Sequence, residues 1–210
     1  MRHRRTGRKL GRNPKHQRAL LRSLASALFL TERDAEFEPN APKVKGRIIT
    51  TITKAKEVRP LVEKCITIAR AGLAAEQAAV EHGTRAERNS AEWKSWRESP
   101  RWNAWAGAIA PAVAARRRCL RLLGDKVAVR TLFSAVAGRF ADRPGGYTRI
   151  VRLAKPRLGD AGTQAILEFV GVRDRVVQRS QKPAFEDSPA EKAPAKSKKK
   201  AEPAGAAAAE

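Results

Sequence analysis

The first twenty-two residues place the strongest limit on how this chain can fold. They contain nine Lys and Arg residues and no Asp or Glu. A segment of this kind has almost no apolar surface to offset the entropy of ordering it, so it cannot nucleate a core by itself. It can become ordered on a polyanion, where each cation releases condensed counterions. We therefore expect residues 1–13 to form a basic arm that binds nucleic acid.

The charge of the whole chain agrees with that of the arm. The sequence has 44 Lys+Arg against 21 Asp+Glu, a formal net charge of +23, and its pI is about 11.2. Such self-repulsion is typical of proteins that a phosphate backbone neutralises, and not of enzymes that act on small molecules. We do not expect a membrane as a partner, because no apolar run approaches the ~18 residues that span a bilayer and no lipidation motif occurs. A mitochondrial transit peptide is the alternative interpretation of the arm, which however lacks the apolar face of a presequence helix.

Metal, cofactor and catalytic chemistry find little support in the residues. Cys65 and Cys119 fall within helical apolar patterns and are expected to be small buried side chains. The histidines lie far from them in sequence, so we predict neither a metal site nor a cofactor. His3 and His16 could form the acid–base pair of a ribonuclease, but a flexible arm cannot hold catalytic groups in register. No phosphate-binding loop, nucleophile motif or carboxylate pair appears, and we expect a protein that is not an enzyme.

The first helix is predicted after Asn13-Pro14, a favoured capping residue followed by a favoured first residue. Leu21, Leu24 and Leu28 share one face of this helix at the helical period. The opposite face holds Lys15, Arg18, Arg22 and Ser26. One face should therefore pack on a core, while the other continues the cationic surface of the arm.

The remaining elements predict an α+β fold. Residues 31–46 indicate a loop, 47–53 a strand, 53–69 a helix, and 113–123 and 125–140 two further helices. A turn at 143–146 precedes two strands, 147–153 and 163–170, which form a C-terminal β-hairpin. We expect a two-layer α/β sandwich with a small sheet, in one domain over residues 1–172. The Lys/Ala/Pro-rich tail at 173–210 has nothing to bury and is expected to be disordered.

A segment at about 74–112 has a different composition from the core pattern around it. It is rich in Ala, Glu and Arg and contains all four tryptophans, Trp93, Trp96, Trp102 and Trp105, in pairs spaced three apart. Ser99-Pro100 between the pairs indicates a helix start, so we predict an inserted helical hairpin. The rings either close this hairpin on itself or form a docking surface for RNA bases or a neighbouring protein.

Three blocks of the sequence resemble one known family. They are MRHRRTGRKLGRNPKHQRALLRSLASAL at the start, GRIITTITKAKEVRPLVEKCITIAR from Gly46, and VAVRTLFSAVAGRFADRPGGYTRIVRL from Val127. In that order they are similar to the L-seventeen family of bacterial large-subunit ribosomal proteins. The resemblance covers somewhat over half the chain and implies the element order α-β-α-α-α-β-β. It leaves the 31–46 loop, the tryptophan-bearing insert and the tail unexplained.

The resemblance implies a structural component of the large ribosomal subunit in the cytoplasm, which supports translation. Its partners would be large-subunit ribosomal RNA and neighbouring large-subunit proteins. In the family the basic start and the glycine-tyrosine turn lie against rRNA. With the remaining cations of the arm, the first helix and the turn, the predicted RNA-binding residues are Arg2, His3, Arg4, Arg5, Arg8, Lys9, Arg12, Lys15, Arg18, Arg22, Arg143, Tyr147 and Arg149.

Two alternatives stay open at this point. Tyr147, the one tyrosine of the chain, could contact RNA together with Arg149 or could belong to the core. The whole protein could instead be a DNA-compacting, nucleoid-type protein, because the segment KAPAKSKKKAEPA resembles histone-like tails. A DNA binder of that type would depend on its tail, whereas a ribosomal protein would depend on its first twenty residues.

Overall fold

The computed structural model describes residues 7–35 and 38–171. Helix α1 (Pro14–Leu30) is followed by strand β1 (Arg47–Thr51) and helix α2 (Ile52–Ala79), which ends in a 3₁₀ turn at Val80–His82. Helices α3 (Ala91–Glu98), α4 (Pro100–Leu123), α5 (Lys126–Thr131) and α6 (Ala137–Arg139) come next, with a π-helical turn, Leu132–Val136, between the last two. Strands β2 (Thr148–Arg152) and β3 (Gln164–Phe169) complete the fold.

The three strands form one antiparallel sheet in the order β1-β3-β2. The last strand in sequence is therefore the central one. Its alternate residues Ala165, Leu167 and Phe169 are buried, so one face of the sheet packs on the helices. The α+β class and the C-terminal hairpin are confirmed. The first strand is shorter than predicted, because its pairing ends where Thr51 meets Gln164 at the start of β3.

Helix α2 lies at the centre of the domain and packs against α1, α4 and all three strands. Its buried residues include Val58, Val62 and Ile66. Cys65 on α2 and Cys119 on α4 are both fully buried free thiols, as expected, and the Cys119 Sγ lies 3.7 Å from the Cys65 carbonyl oxygen. The hydrogen bond with Cys119 and burial together raise the pKa of the Cys65 thiol, which keeps it protonated.

The chain turns sharply between α4 and α5. Gly124 ends α4 in the left-handed conformation, with φ of +78°, which glycine adopts without steric cost. Asp125 then caps α5, since its Oδ1 accepts hydrogen bonds from the amides of Val127 at 2.8 Å and Ala128 at 3.3 Å. This α4–α5 junction packs against α1.

Candidate nucleic-acid interface

The basic arm is described from Gly7 onward, and all of its cations there are exposed. Arg8 Nε lies 3.4 Å from Glu57 Oε1 on α2, and the Gln17 side chain donates to the Gly11 carbonyl at 2.6 Å. These contacts attach the end of the arm to the domain. Four of the predicted RNA-binding residues lie outside the described residues: Arg2, His3, Arg4 and Arg5.

Helix α1 begins as the sequence predicts. The Asn13 side chain accepts a hydrogen bond from the Lys15 amide at 2.9 Å, and Pro14 is the first helical residue. Lys15, Arg18 and Arg22 are exposed on the face opposite the core. No carboxylate of the described residues lies within ion-pair distance of any of these three. Their charge is therefore available to an external anion.

The cationic face of α1 forms one wall of an open groove of about 650 Å³. Leu123, Gly124 and Asp125 at the α4–α5 junction form the other wall. Arg22 spans the two walls, because its Nη2 donates to the Arg121 carbonyl at 3.1 Å. The groove is a feature that the sequence analysis missed, since its two walls are about a hundred residues apart in the chain.

The Gly-Gly-Tyr turn is arranged differently from the prediction for its tyrosine. Gly146 has φ of +64°, and the turn brings Tyr147 into the core, where 1% of its surface is exposed. Its hydroxyl accepts a hydrogen bond from Arg70 Nη1 at 2.8 Å, and its ring lies 5.2 Å from that of Phe140. A ring with no exposed face cannot stack on a base. The core alternative for Tyr147 fits the structure, and we leave this residue out of the interface.

In the predicted strand 147–153, Tyr147 and Arg149 would lie on one face because they are two residues apart, but the strand β2 begins only at Thr148. The direction of the Tyr147 side chain is therefore set by the turn. Arg143 in the same turn is exposed, and its Nε donates to the Gly145 carbonyl at 3.1 Å. Arg143 thus remains accessible at the surface, unlike Tyr147.

Arg149 belongs to an ion-pair cluster that we define as Glu32, Arg139, Arg149 and Glu168. Arg149 pairs with Glu168 on the adjacent strand. Arg139 holds Glu32 with two hydrogen bonds, of 3.0 and 2.9 Å. The two carboxylates are largely buried, with side-chain exposures of 9% for Glu32 and 13% for Glu168. These arginines are therefore neutralised within the protein.

The ion-pair cluster gives the 31–46 loop a structural part in the fold. The Gly46 amide donates to Thr31 Oγ1 at 3.0 Å, which closes the loop at its base. Gly46 has φ of +78°, and a Cβ there would lie 2.7 Å from Glu32 Oε1. Glycine at this position thus leaves room for the carboxylate that Arg139 binds. No local sequence pattern indicates the pairing of Arg139 with Glu32, because the two residues are 107 apart in the chain.

The tryptophan-bearing insert is helical, and α4 begins at Pro100 as predicted. Trp96, Trp102 and Trp105 pack on one another with ring centroids 5.0 to 5.5 Å apart. The Trp96 indole donates to the His82 carbonyl at 3.0 Å. The Arg97 guanidinium lies 5.1 Å from the Trp93 ring and 4.9 Å from the Trp102 ring. All four indoles are partly buried by these contacts, an arrangement that favours the self-closed hairpin.

No helix within residues 7–35 and 38–171 is long and apolar enough to cross a membrane. In the same part of the chain, no three His, Cys, Asp or Glu side chains come together as metal ligands would.

Comparison with known proteins identifies the family. The family described as Ribosomal protein L17 matches residues 20–170, which is most of the chain. The chain belongs to this family. A relative named Large ribosomal subunit protein bL17, from Rhodopirellula baltica, is 64% identical over 190 residues, which are 90% of each chain.

More distant members of the ribosomal protein L17 family also match over most of their length. The bL17 protein of Lactobacillus helveticus is 37% identical over 163 residues, 78% of this chain and 98% of the relative. That of Acidobacterium capsulatum is 34% identical over 184 residues, 88% of this chain and 81% of the relative. The family match begins at residue 20, after the basic arm.

Proposed function

We propose that this protein is a non-enzymatic structural constituent of the large ribosomal subunit, and that it binds large-subunit rRNA through its basic arm and the cationic face of α1. Membership of the ribosomal protein L17 family supports the ribosomal part of this function, since the relatives are named as large-subunit proteins. It also supports a cytoplasmic location, with ribosomal RNA and neighbouring ribosomal proteins as the partners.

The observation that supports the choice of binding surface is that the cations of α1 lack acidic partners among the described residues. Lys15, Arg18 and Arg22 are exposed and have no carboxylate of the described residues within ion-pair distance. They continue the arm, where Lys9 and Arg12 are likewise exposed. A phosphate backbone that follows the arm and then α1 would neutralise each of these cations in turn. Arg143 is a further exposed cation at the turn, whereas Arg149 is already neutralised by Glu168.

Deletion of residues 2–12 tests the proposed function. The deletion removes six cations, namely Arg2, Arg4, Arg5, Arg8, Lys9 and Arg12. We expect nearly unchanged thermal stability, because the core begins at α1. We expect the slope of log affinity for large-subunit rRNA against log salt to shrink by about 4 to 5 units if all six contact phosphates, at ~0.7–0.9 per phosphate.

A second truncation serves as the control. Removal of residues 183–210 deletes the Lys/Ala-rich segment and leaves the arm intact. The proposal requires this variant to retain most of its rRNA affinity. An unchanged salt slope after arm deletion, together with abolished binding after tail deletion, would instead favour the tail-driven DNA-binding alternative, which no comparison supports.

A further inference from the structure

The groove between α1 and the α4–α5 junction contains a buried hydroxyl that has no partner. Ser26 follows Lys15, Arg18 and Arg22 at spacings of three and four residues, so the four side chains form one continuous row along α1. The first three are exposed, whereas Ser26 is 7% exposed and lines the groove where α1 meets the α4–α5 junction. Its Oγ accepts and donates no hydrogen bond within the described residues.

An unpartnered hydroxyl at this place calls for an explanation. A buried polar group without a hydrogen bond destabilises the folded protein, and alanine at the same site of a helix would avoid that cost. The position of Ser26 at the end of a row of cations suggests the missing partner. The missing partner must accept a hydrogen bond from Ser26 and also be attracted by the neighbouring cations. An anion with several oxygen atoms meets both requirements.

The other groups of the groove are compatible with an anion. Arg22 donates one N–H to the Arg121 carbonyl, and this hydrogen bond holds its guanidinium across the groove. The other N–H groups of the guanidinium remain available to a ligand. Asp125 is the one carboxylate among the lining residues, and its Oδ1 is engaged by the Val127 and Ala128 amides. Three cations therefore face a single acid that is already hydrogen-bonded within the protein.

We propose that this groove binds one phosphate group of the rRNA backbone, with Arg18 and Arg22 pairing with the phosphate oxygens. The Ser26 hydroxyl is covered in this conformation, and it turns about the Cα–Cβ bond towards the groove to donate a hydrogen bond to one of those oxygens. The site rests on the proposed function, because it fixes one nucleotide at the end of the cationic row that lies farthest from the arm, near the C-terminus of α1. Charge attraction alone would leave the RNA free to slide along α1. A hydroxyl at the end of the row gives the bound phosphate a fixed position.

The substitution Ser26→Ala tests this site in the full-length chain. Alanine removes the hydroxyl and suits a helix interior, so the variant should fold. We expect the melting temperature to stay the same or to rise, and the affinity for large-subunit rRNA to fall by roughly tenfold, the effect of losing a hydrogen bond to a charged group. Ser134→Ala, at an exposed serine outside the groove, is the matched control and should change neither quantity.

A titration with inorganic phosphate provides a second measurement. We expect saturable changes in the amide resonances of residues 22 and 26. In Ser26→Ala, half-saturation should require a higher phosphate concentration. Weaker phosphate binding with unchanged rRNA affinity would identify a free-phosphate site and overturn the proposal. A lower melting temperature in Ser26→Ala would show that the hydroxyl stabilises the fold, and would also overturn it.

The arm deletion separates the two proposals. If deletion of residues 2–12 weakens rRNA binding while Ser26→Ala leaves it unchanged, the proposed function stands and the phosphate site is wrong. If neither change affects rRNA binding, the part of the proposed function that assigns rRNA binding to the arm fails, and the phosphate site fails with it.

Discussion

Two regions of this protein are rich in arginine, and they use it in opposite ways. On α1, the cations Arg18 and Arg22 face solvent and a groove, with no acidic partner among the described residues. Beside the sheet, Arg139 and Arg149 each hold a carboxylate, Glu32 and Glu168, that is largely buried. The sequence composition does not distinguish these regions. The position of the acids in three dimensions does.

The difference shows that a count of cations does not reveal which of them are available to a phosphate. A phosphate that approached the ion-pair cluster would have to compete with a carboxylate that is already bound through charge-assisted hydrogen bonds. It would also leave that carboxylate buried without a partner, which is costly. A phosphate that approaches α1 displaces only water and counterions. Binding is therefore expected on the α1 side, and the ion-pair cluster is expected to stabilise the fold.

The largest expected effect in this comparison is on stability, at Tyr147 on the sheet side. Tyr147→Ala should lower the free energy of unfolding by about 3–5 kcal/mol, since it empties the space of a large buried ring. Tyr147→Phe should cost about 1 kcal/mol, because Arg70 loses its hydroxyl acceptor. Urea unfolding followed by circular dichroism measures both changes.

The rRNA affinity of Tyr147→Phe supplies the contrasting measurement, as this variant keeps the ring in the core. We expect it to bind rRNA as tightly as the original protein does. A stable Tyr147→Ala variant that fails to bind rRNA would show that the Tyr147 ring contacts rRNA. It would contradict the assignment of rRNA binding to the α1 side alone.

A smaller effect is expected on rRNA affinity when the α1 cations are neutralised. The triple variant Lys15→Gln, Arg18→Gln, Arg22→Gln should reduce the salt slope of rRNA binding by about 2 to 3 units, at ~0.7–0.9 for each phosphate that the protein no longer neutralises. Its melting temperature should change little, because these side chains are exposed. Binding assays at several salt concentrations test this directly.

The matched variant for the sheet side is Arg139→Gln with Arg149→Gln. It should leave the salt slope nearly unchanged and lower the melting temperature, because two largely buried carboxylates lose their partners. If this pair and the α1 triple reduced the slope equally, the distinction between paired and available cations would not hold.

The smallest expected effect concerns the tryptophan-bearing insert. Residues 80–105 contain five Lys and Arg and four Glu, so this segment is nearly neutral, unlike α1. Because all four tryptophans lie here, intrinsic fluorescence reports on the insert alone. We expect the emission to be partly protected from iodide in the free protein and to stay the same on addition of rRNA. Emission that becomes protected only in the assembled subunit would favour the docking alternative over the self-closed hairpin.

Local patterns in the sequence predicted most of the fold. The leucine face of α1, the cap at Asp125 and the start of α4 at Pro100 depend on neighbouring residues, which periodicity and capping rules describe. The order of the strands and the long-range packing do not appear in such patterns. Ser26 looked like part of an exposed cationic face, and it is buried because α1 packs against the α4–α5 junction.

The candidate site was predicted only in part for the same reason. The available cations of α1 follow from one helix and were identified from the sequence. The groove, the ion-pair cluster and the position of Tyr147 each depend on packing between residues far apart in the chain. The hydrogen bond between Arg70 and Tyr147 is an example, because its two partners are 77 residues apart.

The strand order has a consequence for how the protein is made. In the order β1-β3-β2, the strand β1 has no neighbour in the sheet until β3 has been synthesised, since Thr51 pairs with Gln164 and not with β2. The ribosome therefore releases the arm and α1 well before the sheet can close. During that interval the cations of α1 are already present while the domain behind them is incomplete. Any contact that α1 makes during this interval is made by a partly folded chain, and closure of the sheet by β3 completes the domain afterwards.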